Sequence, residues 1–195
     1  HSGNPIRTEF FQSSDVGSDG INIYITGGSQ GANYINEKLP NVLSKFTNIN
    51  VKHQCGKNNI LKVQRLYKKN GLTAEIHDFY ENPAEQILWS DFVISRAGAL
   101  SLSEISSLQR GILMIPLPTA IDNHQFENAK SIVELGMGEI HQQNDSIEKL
   151  KSKIENIISN QSYVNWKKQG NKDHKYAAKV ITESIFKFLN QNEKV

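Results

Sequence analysis

The chain has 195 residues, with 22 basic and 20 acidic side chains and a formal net charge of +2. That length fits one large domain or two small ones, and the balanced charge excludes a nucleic-acid binder that works through bulk positive charge. The single cysteine excludes a disulfide framework and a cysteine-based metal site. No window approaches the roughly 20 apolar residues of a membrane-spanning helix, and we expect no signal peptide.

Arginine is scarce in this sequence. Only Arg7, Arg65, Arg96 and Arg110 occur among the basic residues. Because the planar guanidinium clamps anions better than a lysine ammonium does, these four positions are candidates for anion contacts.

The predicted elements alternate regularly after a polar start. Residues 1–7 and 12–20 are typical of a linker. We predict strands over 21–26, 49–55, 73–77, 91–95, 112–115 and 138–141. Between these strands we predict five helices. The first starts at residue 32 with a break or bend at Pro40, the second is Lys-rich and ends at Asn70-Gly71, and the others cover 83–89, 100–108 (ended by Gly111) and 122–135. After the last strand, one helix follows a capping-box-like pair of Asp145 and Glu148, and another runs from Ala177 to Leu189.

This alternation predicts an α/β domain with a doubly wound, six-stranded parallel sheet of the Rossmann-like kind. A closed (β/α)₈ barrel would need about 250 residues and two more units, so it is disfavoured.

The first candidate site is the glycine-rich turn over 26–32, directly after the first strand. Glycines let a backbone approach a ligand closely, and the following helix offers free N–H groups to a phosphate. Ser29 adds a hydroxyl donor. The spacing fits neither the dinucleotide fingerprint nor a Walker A loop, and a plain tight turn without a ligand remains open.

The second candidate site is the small-residue turn over 95–104, after the fourth strand. In a doubly wound sheet, the loops after the first and fourth strands flank the switch point where ligands bind. Glu104 could complement the helix dipole or accept the two hydroxyls of a ribose, and residue chemistry alone leaves both roles open.

The third candidate site covers residues 116–129 and gathers Asp122, Asn123, His124 and Gln125 near a helix start, which is more than capping requires. Phe79 and Tyr80 could wall a base pocket. No residue spacing suggests a metal site, so we expect no metal and no cofactor.

Several segments together resemble the MurG family of peptidoglycan glycosyltransferases. They occur in the family's order: Gly3-Asn4-Pro5-Ile6-Arg7, Gly27-Gly28-Ser29-Gln30-Gly31-Ala32, His53-Gln54-x-Gly56-Lys57, Arg96-Ala97-Gly98-Ala99 with Ser103-Glu104, and Asp122-x-x-Gln125-x-x-Asn128-Ala129. The resemblance implies the C-terminal, donor-binding half of a two-domain GT-B fold. It implies an interdomain linker over 1–14 and a UDP-GlcNAc-binding domain over 15–195.

The resemblance also assigns site residues. It places Arg7 in the donor site near the interdomain cleft, where Arg7 and the helix dipoles would hold the diphosphate charge without a metal. It places Ser29 on the donor diphosphate, the backbone of Tyr80 on uracil, Glu104 on the ribose and Gln125 on the GlcNAc ring. The nucleotide would be lined by Ala99, Leu100, Ser101, Leu102 and Ser103, and secondary contacts would come from Gly28, Gln30, Gly31 and His124. His124 departs from the family, where a second glutamine is common.

The implied reaction is an inverting transfer of GlcNAc from UDP-GlcNAc to lipid I. The general base, the lipid I acceptor site and the inner-membrane contact would belong to an N-terminal half outside this sequence. The implied location is the cytoplasmic face of the bacterial inner membrane, with residues 1–195 soluble by themselves and no nucleic-acid partner.

Two alternatives stay open from the sequence. One is another GT-B nucleotide-sugar transferase, such as a glycolipid synthase. The other is a non-catalytic nucleotide-sugar-binding subunit of a split transferase. An NAD-dependent enzyme would share only the fold, because the required glycine spacing and the acidic residue after the second strand are missing.

Overall fold

The computed structural model describes residues 3–11, 19–169 and 173–192. Six parallel strands form one sheet in the order β3-β2-β1-β4-β5-β6. They are β1 (Ile21–Thr26), β2 (Ile49–Gln54), β3 (Glu75–His77), β4 (Phe92–Ser95), β5 (Gly111–Met114) and β6 (Gly138–Ile140). This order is the doubly wound arrangement predicted from the alternating pattern, so the predicted fold class is confirmed.

Eight α-helices accompany the strands in the described part of the chain. They are α1 (Asn33–Leu43), α2 (Ile60–Lys69), α3 (Pro83–Trp89), α4 (Ala99–Ser107), α5 (His124–Glu134), α6 (Ile147–Ser159), α7 (Ser162–Trp166) and α8 (Ala177–Asn192). Within the described residues, no helix is both long and apolar enough to cross a bilayer.

Two hydrophobic clusters cover the two faces of the sheet. In β1, Ile23 and Ile25 point into one cluster and Tyr24 points into the other, because successive strand residues face opposite sides. Residues of α1, α2, α6 and α7 pack on the first face, and those of α3, α4 and α5 pack on the second. The sheet is therefore buried between two layers, as a parallel sheet requires.

The segment before β1 belongs partly to this core. Thr8–Phe11 forms a 3₁₀ turn, and Phe10 is fully buried in the second cluster. The predicted boundary between residues 14 and 15 lies outside the described residues. The described part of the predicted linker thus packs on the domain.

Three local predictions were wrong. The predicted break of α1 at Pro40 is absent: the helix continues to Leu43, since the buried side chains of Leu39, Pro40 and Leu43 hold its last turn against the core although proline lacks an N–H donor. Ser146, and not Asp145, caps α6: its backbone is extended, and its hydroxyl accepts a hydrogen bond from the Lys149 amide.

The third wrong prediction concerns Gly111. It starts β5 and does not end α4, whose C-cap is Leu108. A side chain at this position would overlap the indole of Trp166, so the glycine makes room for packing.

Candidate nucleotide-binding cleft

The turns that follow β1 and β4 lie side by side, because these central strands pair with Thr26 opposite Ser95. Between the turns is a cleft of about 560 Å³. Its lining consists of residues 26–34 together with Ser95, Arg96, Gly98, Ser101, Leu117, Gln125 and Gln143. The cleft lies at the carboxyl edge of the sheet, where doubly wound folds bind ligands.

The glycine-rich turn is built on two glycines with positive φ angles and on hydrogen bonds within the turn. Gly28 and Gly31 adopt φ angles of +80° and +75°, which side chains disfavour. The Gly28 amide donates to the Thr26 hydroxyl at 3.1 Å, and the Gly31 amide donates to the Gly28 carbonyl at 3.1 Å. A Cβ added at Gly28 would meet no atom within 4 Å, and Gly28 is one of the residues that line the cleft.

The side chain of Gln54, at the end of β2, hydrogen-bonds to this turn. Its amide nitrogen donates to the Thr26 hydroxyl and to the Gly28 carbonyl, both at 3.2 Å. Its amide oxygen accepts from the Tyr24 hydroxyl and from the Tyr80 amide, both at 3.3 Å. The sequence placed Gln54 only within a motif; the available signal was a polar residue that ends a buried strand.

A set of hydrogen-bonded, buried side chains lies behind Gly31, the glycine whose neighbour is the Cys55 carbonyl. His53 lies 3.0 Å from the Tyr67 hydroxyl through Nδ1 and 3.0 Å from the Asn36 amide oxygen through Nε2, and the Asn36 nitrogen donates to the Cys55 carbonyl at 2.8 Å. Because the Asn36 oxygen can only accept, Nε2 carries the proton and Nδ1 accepts from Tyr67. Burial lowers the pKa of His53 to about 3, so the ring is neutral.

The second turn is fixed to the loop after β5 by Gln125. Its amide oxygen accepts from the Ala97 amide at 3.3 Å and from the Leu117 amide at 3.0 Å. The Asn128 side chain donates to the Ala97 carbonyl at 3.1 Å. With the Gln125 oxygen engaged inside the protein, its NH₂ group is the part that can serve a ligand.

Helices α1 and α4 both begin at this cleft. Their N-cap residues are Ala32 and Gly98, and neither side chain can cap a helix. The first N–H groups of both helices therefore lack side-chain caps, which is the arrangement that favours an anionic ligand.

Asn4 and Arg7 contact α4 at Ser103 and Glu104, and none of these four residues is among those that line the cleft. The Arg7 guanidinium lies 3.1 Å from Glu9 and 3.8 Å from Glu104. Asn4 donates to the Ser103 hydroxyl at 2.8 Å. Burial raises the pKa of Glu104, and the charge of Arg7 opposes that rise.

The remaining predicted residues fall into two groups. Ser29, Gln30, Gly28, Gly31 and Ser101 line the cleft, whereas Leu102 is buried in the second cluster and Leu100 is 54 % exposed. His124 is exposed, and its Nδ1 lies 2.7 Å from the Ile121 carbonyl. Ala99 starts α4, next to the cleft residue Gly98.

Tyr80 points inward and not into the cleft. It is buried, its hydroxyl donates to Glu75 at 3.0 Å, and its ring packs edge-on against Tyr24. Burial is also the main cause that raises its pKa. With its amide donating to Gln54, only the Tyr80 carbonyl remains as a backbone group for a base.

Three cleft residues lie outside the three predicted candidate segments: Asn33, Tyr34 and Gln143. Arg96 lies within the second segment, although no specific role was predicted for it. Tyr34 follows the glycine-rich turn, and its hydroxyl lies 3.0 Å from His141 Nε2. The available signal was position, since Asn33 and Tyr34 directly follow the glycine-rich turn and Gln143 follows the last predicted strand by two residues. Within the described residues, no group of three or more His, Cys, Asp or Glu is placed to hold a metal ion.

Residues 22–183 match the sequence model of the Glycosyltransferase family 28 C-terminal domain. The chain belongs to this family. The resemblance drawn from the motifs is thereby confirmed.

Two curated relatives carry the name UDP-N-acetylglucosamine–N-acetylmuramyl-(pentapeptide) pyrophosphoryl-undecaprenol N-acetylglucosamine transferase. The one from Aeromonas hydrophila is 38 % identical over 148 residues, which cover 73 % of this chain and 41 % of the relative. The one from Campylobacter jejuni serotype O:23/36 is 38 % identical over 142 residues, which cover 72 % of this chain and 42 % of the relative. The chain thus spans well under half the length of these relatives.

Solved structures agree with this placement. The Acinetobacter baumannii MurG crystal structure superimposes with a TM-score of 0.80 at 30 % identity, covering 92 % of this chain and 52 % of that one. A Staphylococcus aureus MnaA–UDP co-structure has a TM-score of 0.66 at 14 % identity over 88 % of this chain and 47 % of that one, which shows a shared fold alone.

Proposed function

We propose that this chain is the donor-binding half of an inverting glycosyltransferase that transfers GlcNAc from UDP-GlcNAc to lipid I, giving lipid II for peptidoglycan. One observation carries the proposal: a cleft between two glycine turns, at the ends of β1 and β4, in a family 28 C-terminal domain. The curated relatives named above support the donor and the acceptor. The acceptor site and the general base would lie outside residues 1–195.

In this proposal the diphosphate lies against the glycine-rich turn. The amides at the start of α1 and the Ser29 hydroxyl would stabilise the negative charge that grows on UDP as the acceptor hydroxyl attacks the anomeric carbon. The open space at Gly28 supports this placement, because the phosphate oxygens need a backbone without a side chain there.

The nucleoside would lie along the start of α4. Glu104 would accept the ribose hydroxyls, and the Tyr80 carbonyl would accept the N3–H of uracil. The half-buried position of Glu104 supports its role, since charge-assisted hydrogen bonds strengthen where water is partly excluded. The free NH₂ of Gln125 would donate to a hydroxyl of the sugar.

We also propose that residues 1–14 connect this domain to the acceptor half. The contacts of Asn4 with Ser103 and of Arg7 with Glu104 support this, because they dock the connection onto α4. The other partners are then lipid I and the cytoplasmic face of the inner membrane, both reached through the acceptor half. The proposed chemistry uses backbone dipoles and side chains, without a cofactor.

Calorimetry of the purified chain with UDP, UDP-GlcNAc and UDP-glucose tests the proposal. We expect UDP and UDP-GlcNAc to bind, and UDP-glucose to bind more weakly than UDP-GlcNAc. Affinities should be modest, because half a cleft buries less ligand surface than a closed one. The chain by itself should transfer no GlcNAc to lipid I. Absence of UDP binding at millimolar concentrations would refute the donor-binding function.

A further inference from the structure

Arg96 is a half-buried cation on the wall of the cleft, at the end of β4. Its Nη1 donates to the carbonyls of Ile115 at 3.0 Å and Pro116 at 3.2 Å. Its Nη2 donates to the Gln143 amide oxygen at 2.9 Å. All three acceptors are neutral, so they orient the guanidinium without cancelling its charge.

Arg96, in the cleft lining, and Arg7, beside Glu104, differ in their partners. Arg7 lies within ion-pair distance of two carboxylates, those of Glu9 and Glu104, and its side chain is 55 % exposed. Arg96 forms no ion pair with any carboxylate in the described part of the chain. The positive field of Arg7 is therefore neutralised locally, whereas the field of Arg96 extends into the cleft.

Burial lowers the pKa of Arg96, which reflects the cost of keeping a charge partly away from water. A guanidinium nevertheless stays protonated at neutral pH. A half-buried cation without a counter-ion is stabilised by an anion that enters the same space. The uncapped starts of α1 and α4 share that space and also favour an anion.

We propose that Arg96, and not Arg7, supplies the positive charge that binds the diphosphate of the nucleotide in this cleft. This inference rests on the proposed function, and it names the residue that would stabilise the leaving group. Gln143 and the two loop carbonyls hold the guanidinium in place, so little order is lost when the ligand arrives.

Calorimetric titration of the purified chain with UDP and with uridine, at low and high salt, tests the proposal. Because uridine lacks the diphosphate, Arg96→Gln should lower UDP affinity at least about tenfold and leave uridine affinity within about twofold. The salt dependence of UDP binding should fall in the same variant. Arg96→Lys keeps the charge and should retain most of the preference for UDP over uridine.

The variant Arg7→Gln is the comparison. Because the Arg7 side chain is well exposed, this variant should fold even if the Arg96 variants do not. The proposal expects it to change UDP and uridine affinity by the same factor. A loss confined to UDP in Arg7→Gln would overturn the proposal, as would an equal loss of both ligands in Arg96→Gln.

The titrations separate a failure of the donor-binding function from a failure of the role assigned to Arg96. If the wild-type chain binds neither ligand, the donor-binding function itself is refuted together with this assignment. If the wild-type chain prefers UDP and Arg96→Gln keeps that preference, the donor-binding function stands. Arg96 then only stabilises the loops through its hydrogen bonds to Ile115, Pro116 and Gln143.

Discussion

Two pairs of glycines in the cleft region have opposite surroundings. Gly31 and Gly56 pack against one another: a Cβ on Gly31 would overlap the Cys55 carbonyl, and a Cβ on Gly56 would overlap the Gly31 amide. Gly28 and Gly98 face open space, where an added Cβ would meet nothing within 4 Å. Both members of the open pair line the cleft, as does Gly31 of the packed pair, so the two pairs differ in the space around them.

This difference separates glycines that the fold needs from glycines that a ligand would need. The packed pair allows the β1 and β2 loops to touch, so its loss should appear as lost stability. The open pair has no neighbour to accommodate in the free protein, so its loss should appear mainly in binding. Four experiments test this separation.

The largest effect is expected for Gly31→Ala. The new Cβ would press on the Cys55 carbonyl, which Asn36 holds in place, and the residue would keep a φ of +75° that alanine disfavours. We expect a loss of at least about 3 kcal/mol in the free energy of unfolding. Urea denaturation measures it, and a loss below about 1 kcal/mol would show that the loops can separate at little cost.

The buried side chains behind Gly31 should make stability depend on pH. The folded-state pKa of His53, about 3, lies below the ordinary value of 6.5, so the unfolded chain binds the proton first as pH falls. Stability should therefore fall between about pH 6.5 and pH 3, by up to about 1.4 kcal/mol per pH unit. His141, whose pKa is also lowered by burial, acts in the same direction.

The measurement is urea denaturation at several pH values for the wild type and for His53→Gln. The variant should lose part of the slope. An unchanged slope would mean that His53 does not titrate differently in the two states.

Gly28→Ala has a matched control in Gly71→Ala. Gly71 has a φ of +71°, open space around its Cα, and a place in the turn after α2, outside the residues that line the cleft. Each substitution should cost about 1 kcal/mol of stability through backbone strain. Only Gly28→Ala should weaken UDP, about tenfold, with a smaller effect on uridine.

Calorimetry with both ligands makes the comparison, and Ser29→Ala, which removes one donor and leaves the backbone unchanged, should weaken UDP less than Gly28→Ala. If the two glycine variants bind UDP equally well, the glycine-rich turn does not contact the diphosphate.

The smallest effect is expected for Gly98→Ala. Its φ and ψ of −71° and 134° suit any residue, so the stability cost should stay below about 1 kcal/mol, from the poorer N-cap. The added methyl group should still reduce UDP affinity by a few fold, because it occupies the cleft at the start of α4. An affinity equal to that of the wild type would place the ligand away from Gly98.

Much of this arrangement could be predicted from local sequence. The sequence predicts the glycine-rich turn after the first strand and the small-residue turn after the fourth strand, because each is signalled by a pattern of about ten consecutive residues. The contact between Gln54 and the first turn could not be predicted in this way, since it joins β2 to the loop after β1 through a side-chain rotamer. The ion pair of Arg7 with Glu104 spans almost a hundred positions and was equally hidden.

The order and type of the six strands, the doubly wound sheet and the family could all be predicted from hydrophobic periodicity and short motifs, because these are local properties of the chain. Tertiary packing sets which polar groups face the cleft. It placed the side chains of Leu102 and Tyr80 in the core, engaged the Gln125 oxygen within the protein, and left Arg96 without a carboxylate partner. These outcomes depend on how distant elements pack and which hydrogen bonds burial forces them to make, and no single segment carries that information.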